Sequence, residues 1–188
     1  AGTTNGLTQY DGTAIVGGGR DMGAYESPFA FQQISGPIPF GIAPVEYGTT
    51  SLGDLDGDGD LDMILTGGTN YGCCGGPGRL HRYMNDGLGN YTGSTLGTSV
   101  KHSATALGDL DNDGDLDLVV AGENFSLGAS LRKYQNDGAG NFSGETPFGS
   151  TLTWGSVALG DLDGDGDLDL VTSGDTTGGG INVLNRYA

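Results

Sequence analysis

Apolar and polar positions recur along this chain in the same order three times. A strand-like stretch ends in Leu-Gly, an acidic nonapeptide follows, and a short apolar run comes directly after it. The runs, Met63-Ile64-Leu65, Leu118-Val119-Val120 and Leu170-Val171, read as buried strands fed by structured loops. Matched strands are predicted upstream at 45–51, 100–106 and 152–158. Downstream, Leu80-His81-Arg82-Tyr83-Met84 and Leu131-Arg132-Lys133-Tyr134-Gln135 alternate as strands do. Both run into Asn-Asp-Gly, at 85–87 and 136–138, which is strong hairpin-turn chemistry. Asn90-Tyr91-Thr92 and Asn141-Phe142-Ser143 then open a fourth strand. From Leu52 to Leu107 is 55 residues and from Leu107 to Leu159 is 52, the period of one four-stranded supersecondary unit.

The nonapeptides are DLDGDGDLD at 54–62, DLDNDGDLD at 109–117 and DLDGDGDLD at 161–169. Alternating aspartates around a tight turn aim several carboxylates at one centre. The candidate metal residues are Asp54, Asp56, Asp58, Asp60 and Asp62; Asp109, Asp111, Asp113, Asp115 and Asp117; and Asp161, Asp163, Asp165, Asp167 and Asp169. In the first loop the side chains of Asp54, Asp56, Asp58 and Asp62 are expected to ligate, with the backbone carbonyl of Asp60 as a fifth donor and Gly59 at the bend. Hard oxygens in a flexible ring suit Ca²⁺, whereas Mg²⁺ holds its waters in a strict octahedron. Two like charges about 4 Å apart repel by roughly 4 kcal/mol at an effective dielectric of 20, so a cation should help fold each loop. Three Ca²⁺ sites are expected, one per repeat. An EF-hand is disfavoured, because its twelfth position needs Glu and here holds Leu65, Val120 and Thr172.

The LGDLDGDGDLDLV-type cores and NDGxGNF-type hairpins resemble the FG-GAP and VCBS repeats, the calcium-loop β-propeller blades also found in integrin α-subunits. The resemblance covers roughly residues 28–188 and implies strands A to D in each blade, with the calcium loop between A and B. It also implies a wide functional range, from adhesion proteins through sugar-binding lectins to accessory domains of secreted enzymes. The expected fold is all-β: three four-stranded antiparallel propeller-blade-like repeats with calcium loops, at about 45–98, 99–149 and 150–188 plus a strand at 29–34.

Composition agrees. The chain has 39 glycines in 188 residues and a net charge of −17, as a turn-rich, acidic β protein would. Three bound Ca²⁺ would leave it acidic at about −11, so nucleic acid and anionic membranes are not expected partners. No apolar stretch approaches the roughly 20 residues of a membrane span. A start at Ala1 reads as a processed or excised secreted product.

Residues 1–27 break the pattern and read as an interaction or linker arm. Within them DGTAIV and DMGAYE resemble the closing segment of secreted right-handed β-helix proteins. Cys73-Cys74 excludes a C-x-x-C site by spacing, leaving a vicinal disulfide, bridges to other chains or free thiols. Sequons fall at Asn90, Asn124 and Asn141, the first and last at equivalent repeat positions, as in a glycoprotein.

Catalysis has little support. Of the two histidines, His81 aligns with Arg132 on an exposed strand face, and His102 with Tyr47 and Trp154, a column read as flat rings packed between units. No nucleophile–base arrangement emerges, and the calcium loops absorb the paired carboxylates. The chain is not expected to be an enzyme. Three units are too few for an ordinary propeller, and the third ends without a fourth strand. Phe29-Ala30-Phe31-Gln32-Gln33-Ile34 is the candidate replacement, within this chain or exchanged with a neighbour. The expectation is therefore an incomplete propeller completed by strand exchange or self-association. Functionally it reads as a secreted, calcium-stabilised structural or adhesive module forming a homo-oligomer or filament. The alternatives are an accessory domain of a larger secreted enzyme, or a lectin-like module for a glycan or cell-surface ligand, using Tyr83, Tyr134 or Trp154.

Overall fold

The computed structural model describes residues 45–69, 78–124, 128–149, 151–176 and 182–187. The arm at 1–27, the candidate strand at 29–34 and Cys73-Cys74 lie outside the described residues. Described residues form ten strands and no helix: β1 Thr50–Gly53, β2 Asp62–Gly68, β3 Gly78–Asn85, β4 Tyr91–Gly108, β5 Asp117–Asn124, β6 Gly128–Asn136, β7 Phe142–Pro147, β8 Thr153–Gly160, β9 Asp169–Asp175 and β10 Asn182–Tyr187. All pairing is antiparallel, in the orders β1-β2-β3-β4-β5-β6-β7 and β10-β9-β8.

The seven-stranded order resolves into two blades because β4 serves both. Its first part, Tyr91 to Thr95, pairs with β3, and its last, Ala104 to Gly108, pairs with β5. One 18-residue strand is thus the outer strand of the first blade and the inner strand of the second. The third blade is β8, β9 and β10, with no fourth strand among the described residues. The expected strand at 45–51 is shorter than predicted, since β1 starts at Thr50 and only an isolated bridge, Glu46 to Gly68, continues the pairing.

Burial follows blade stacking. Leu118 and Val120 pack with Leu55, Ile64, Leu80, Leu96, Val100 and Tyr134 in a core between the first two blades. Their neighbours on the opposite face of β5, Val119 and Ala121, pack with Leu131, Leu152 and Leu170 between the second and third. The central strand is therefore apolar at every core position, as a strand covered on both faces must be.

Among the described residues, the outer face of the third blade is exposed at Leu184. By strand register Leu80, Leu131 and Leu184 are equivalent, facing Thr66, Ala121 and Ser173. The first two are 0% and 1% exposed because a following blade covers them, whereas Leu184 is 77% exposed.

Candidate metal centres and an aromatic junction

Each acidic nonapeptide links the first strand of a blade to its second. Glycines at the bends take the left-handed conformation that L side chains avoid, Gly59 at φ 93°, Gly114 at 97° and Gly166 at 98°. Asn112, the single departure among the three motifs, stands where the others have Gly57 and Gly164 and is itself left-handed at φ 61°. Asn is among the few residues that tolerate this region, so the loop keeps its path.

The loops gather carboxylates as three groups: Asp54, Asp56 and Asp58; Asp109, Asp111 and Asp117; Asp161, Asp163 and Asp169. Within each group one oxygen per residue lies within 4.8 Å of the others. The first aspartate of each loop is held by backbone N–H groups across the bend, as when Gly57 and Gly59 donate to Asp54 at 2.8 and 3.0 Å. Gly164 and Gly166 repeat this on Asp161. The aspartate at the seventh place turns elsewhere: a side chain at Gly87 or Gly138 would collide with the Asp60 or Asp115 carboxylate, and Asp167 accepts from Asn112 at 2.7 Å.

The ninth aspartate is a buried latch. Asp62 accepts from the Leu55 N–H at 2.9 Å and the Asn85 N–H at 2.7 Å, and Asp117 accepts from Leu110 and Asn136 at 3.1 and 2.8 Å. These bonds tie each loop to the start of its own C–D hairpin. Sequence spacing offered the ninth aspartate of the first loop, Asp62, as a ligand but carried no sign of its hairpin partner.

Crowding costs the ionised loops. Desolvation, then the charges of Asp58 and Asp62, holds the Asp56 carboxyl above the usual range. Asp115 rises through desolvation and then Asp113, and Asp117 rises through desolvation despite its two backbone donors. A divalent cation among these oxygens would remove the penalty, and the all-oxygen set fits a hard ion. The third loop differs. Arg186 on β10 donates to Asp163 at 2.6 Å and to Asp169 at 2.9 Å, bonds that hold its guanidinium pKa above the ordinary value.

Asn90 and Asn141 have a structural account apart from glycosylation. Their amides donate to Asp86 and Asp137 at 2.8 and 3.1 Å, closing the two equivalent hairpins. Asn124 donates to the Ser99 carbonyl at 2.9 Å.

Tyr47, His102 and Trp154 do more than occupy equivalent positions. Their rings meet: His102 stacks on Trp154 with centroids 3.6 Å apart and planes at 17°, and Tyr47 sits 5.1 Å from His102 and 5.6 Å from Trp154. All three residues are left-handed, at φ 53°, 49° and 53°. Pairing slips by one residue at Lys101/Ala104 and Thr153/Ser156, marking a β-bulge at each of those two rings. Bulky residues in this region cost of order 1–3 kcal/mol each, so the packing around them must hold them there. Two of the three expected sugar-facing aromatics need correction. Tyr83 and Tyr134 are buried, Tyr134 in the core between the first two blades and Tyr83 against Gly93 of its own blade. Trp154 stays exposed, and Tyr47, which the sequence reading did not propose for this role, joins it.

A β module whose four-stranded blades each carry an acidic loop between the first two strands, with a shorter blade at the end, is propeller-like. The chain belongs to the FG-GAP-like repeat family, whose model matches residues 54–120 and again 109–172. A comparison with curated proteins finds no match. The β-helix resemblance of the first 27 residues falls outside both family matches.

Proposed function

We propose that this chain is a secreted, calcium-stabilised structural or adhesive module that self-assembles head to tail, in a ring or a filament. The observation that carries the reading is Leu184, an exposed copy of two buried leucines. A surface that repeats a blade-covered surface is suited to another blade. Met63 and Leu65, half-buried on the opposite face of β2 from Ile64, offer the complementary end in a second copy. Such a contact joins two different patches and propagates until it closes. A strand from residues 29–34 would complete the third blade at the same junction.

In this reading the fifteen loop aspartates hold three Ca²⁺. Asp54, Asp56 and Asp58, with their counterparts, supply side-chain oxygens, and the ninth aspartates close the loops. The ion has a structural role, and no residue is assigned to catalysis. Sedimentation of the intact chain with calcium and then with a chelator tests this. Concentration-dependent oligomers that dissociate on chelation are expected. A monomer at all concentrations in calcium would overturn the assembly reading.

A second reading, a carbohydrate-binding module, is favoured by the exposed Trp154 beside Tyr47 and His102.

A further inference from the structure

We propose that Tyr47, His102 and Trp154 form a binding platform for a neutral pyranose, placed where the inner ends of the three blades meet. The proposal rests on the carbohydrate-binding reading and gives it a location and a ligand class.

The platform is assembled from residues 55 and 52 positions apart, one from each repeat. Side chains in a regular strand point alternately to the two blade faces, so a residue that extends the core would need no special backbone. Here each ring sits on left-handed backbone, and a bulge marks two of the three positions. A bulge re-aims a side chain. The sequence accommodates it: Gly48 and Gly155 follow two of the rings, and a side chain at either would collide with the facing backbone carbonyl of Thr66 or Ser173. The backbone is thus adapted three times over to bring these rings together.

The rings remain open to solvent. Tyr47 is 52% and Trp154 57% exposed, although His102 covers one face of the indole. Tyr47 meets the indole edge-on, at 5.6 Å and 60°. His102 is held from behind by Glu123, whose carboxylate lies 3.2 Å from Nδ1 and 4.0 Å from Lys101 Nζ.

These contacts select the ligand class. An aromatic cage for a quaternary ammonium needs rings standing around a void. These rings touch one another, leaving faces and edges but no enclosed space. An anion would need a cation to spare, and Lys101 at the site already faces Glu123. A pyranose presents an apolar C–H face that lies flat on an indole and a rim of hydroxyls for polar tips. The Trp154 Nε1–H, the Tyr47 hydroxyl and the partly exposed Glu123 carboxylate are polar groups of the kind that orient a ligand on an apolar surface.

Trp154 is the sole tryptophan of the chain, so its fluorescence reports directly on the platform. The full chain in calcium would be titrated with methyl glycosides of glucose, galactose, mannose and N-acetylglucosamine, with cello- and chito-oligosaccharides, and with N-acetyltryptophanamide. Calorimetry would follow the same additions. The expected result is a saturable change in Trp154 emission with at least one saccharide. Tyr47→Ala should weaken binding about tenfold, and Trp154→Phe, which keeps a ring, should weaken it less than Trp154→Ala. If a saccharide binds by calorimetry but leaves the emission and the Tyr47→Ala affinity unchanged, the platform is wrong and the carbohydrate reading survives. If no saccharide binds, both fail. Saturation by N-acetyltryptophanamide alone would overturn the saccharide assignment in favour of an aromatic side chain.

Discussion

The Asn136 side chain donates to the backbone carbonyl of Leu55 at 2.8 Å, across 81 residues of sequence. The same nitrogen also donates to Leu116 O at 3.2 Å. The start of the second blade's hairpin is thereby fastened to two acidic loops, its own and that of the preceding blade. Asn136 is buried, so truncation would leave these carbonyls without their donor. Asn136→Ala is expected to cost about 1–3 kcal/mol, read as a lowered denaturant midpoint in calcium. The side chain of Asn85, the half-buried first-blade equivalent, donates only to Leu61 O in a solvent-exposed bond, so Asn85→Ala should cost clearly less.

Two aspartates of one loop should fail differently. Asp62 is fully buried and accepts two backbone N–H bonds, whereas Asp58 is exposed. Asp62→Ala should therefore lower the melting temperature even in chelator. Asp58→Ala should leave the chelated protein nearly unchanged and remove much of the stabilisation by calcium. Equal effects of Asp58→Ala in both conditions would show that its carboxylate serves no ion.

Acid should act in opposite directions on the loops and the hairpins. Asp86 and Asp137 are held below the usual range, first by the Asn90 and Asn141 side chains and then by backbone donors. Their contribution is present above the unfolded carboxylate range and lost as pH falls through the depressed folded values. Asp56, Asp115 and Asp117 are raised, so in chelator they oppose folding at neutral pH and cease to do so as they protonate. The chelated protein should thus be more stable at mildly acidic pH than at neutrality, and lose stability again in stronger acid. With calcium the first effect should reverse, because protons compete with the ion for the same oxygens. Thermal melts across pH in both conditions decide the matter.

The loops, the hairpins and the strand after each loop were legible because they rest on local chemistry. Asp spacing, Asn-Asp-Gly turns and apolar runs specify structure within about ten residues. Less legible was whatever depends on neighbouring blades. Tyr83 and Tyr134 lie in alternating segments that suggest one exposed face, yet Tyr134 is buried between the first two blades and Tyr83 against Gly93. The column of Tyr47, His102 and Trp154 was visible as a shared offset, but an offset carries no information on whether three rings converge. The fusion of an outer and an inner strand into β4 was hidden as well, because Gly93 and Gly97 resemble turn residues. Instead Gly93 lies under the Tyr83 ring and Gly97 under the Tyr134 ring, where a side chain would not fit.

Arg186 should make the three loops inequivalent. Its guanidinium already neutralises charge between Asp163 and Asp169, so a cation entering the third loop must displace it. Calorimetric titration should resolve two tighter sites and one weaker. Arg186→Gln should strengthen the weak site and leave the other two unchanged. Three indistinguishable sites would mean that the guanidinium moves aside at no cost.

Leu184 separates two routes to assembly. If blade faces stack between copies, Leu184→Lys places a charge where Leu80 and Leu131 are dry in their own blades. Burying that charge unpaired would cost several kcal/mol, so oligomers should dissociate while the monomer keeps its melting temperature. If a strand from residues 29–34 passes between copies instead, deletion of residues 1–35 should release monomers and destabilise the third blade, whose β10 then remains an edge. Sedimentation of both variants in calcium distinguishes them. Dissociation by Leu184→Lys alone assigns the contact to stacked faces, and dissociation by the deletion alone assigns it to strand exchange. Loss of assembly in both places the exchanged strand and the covering blade at one junction. Assembly unchanged in both would remove the open end of the third blade from the interface altogether.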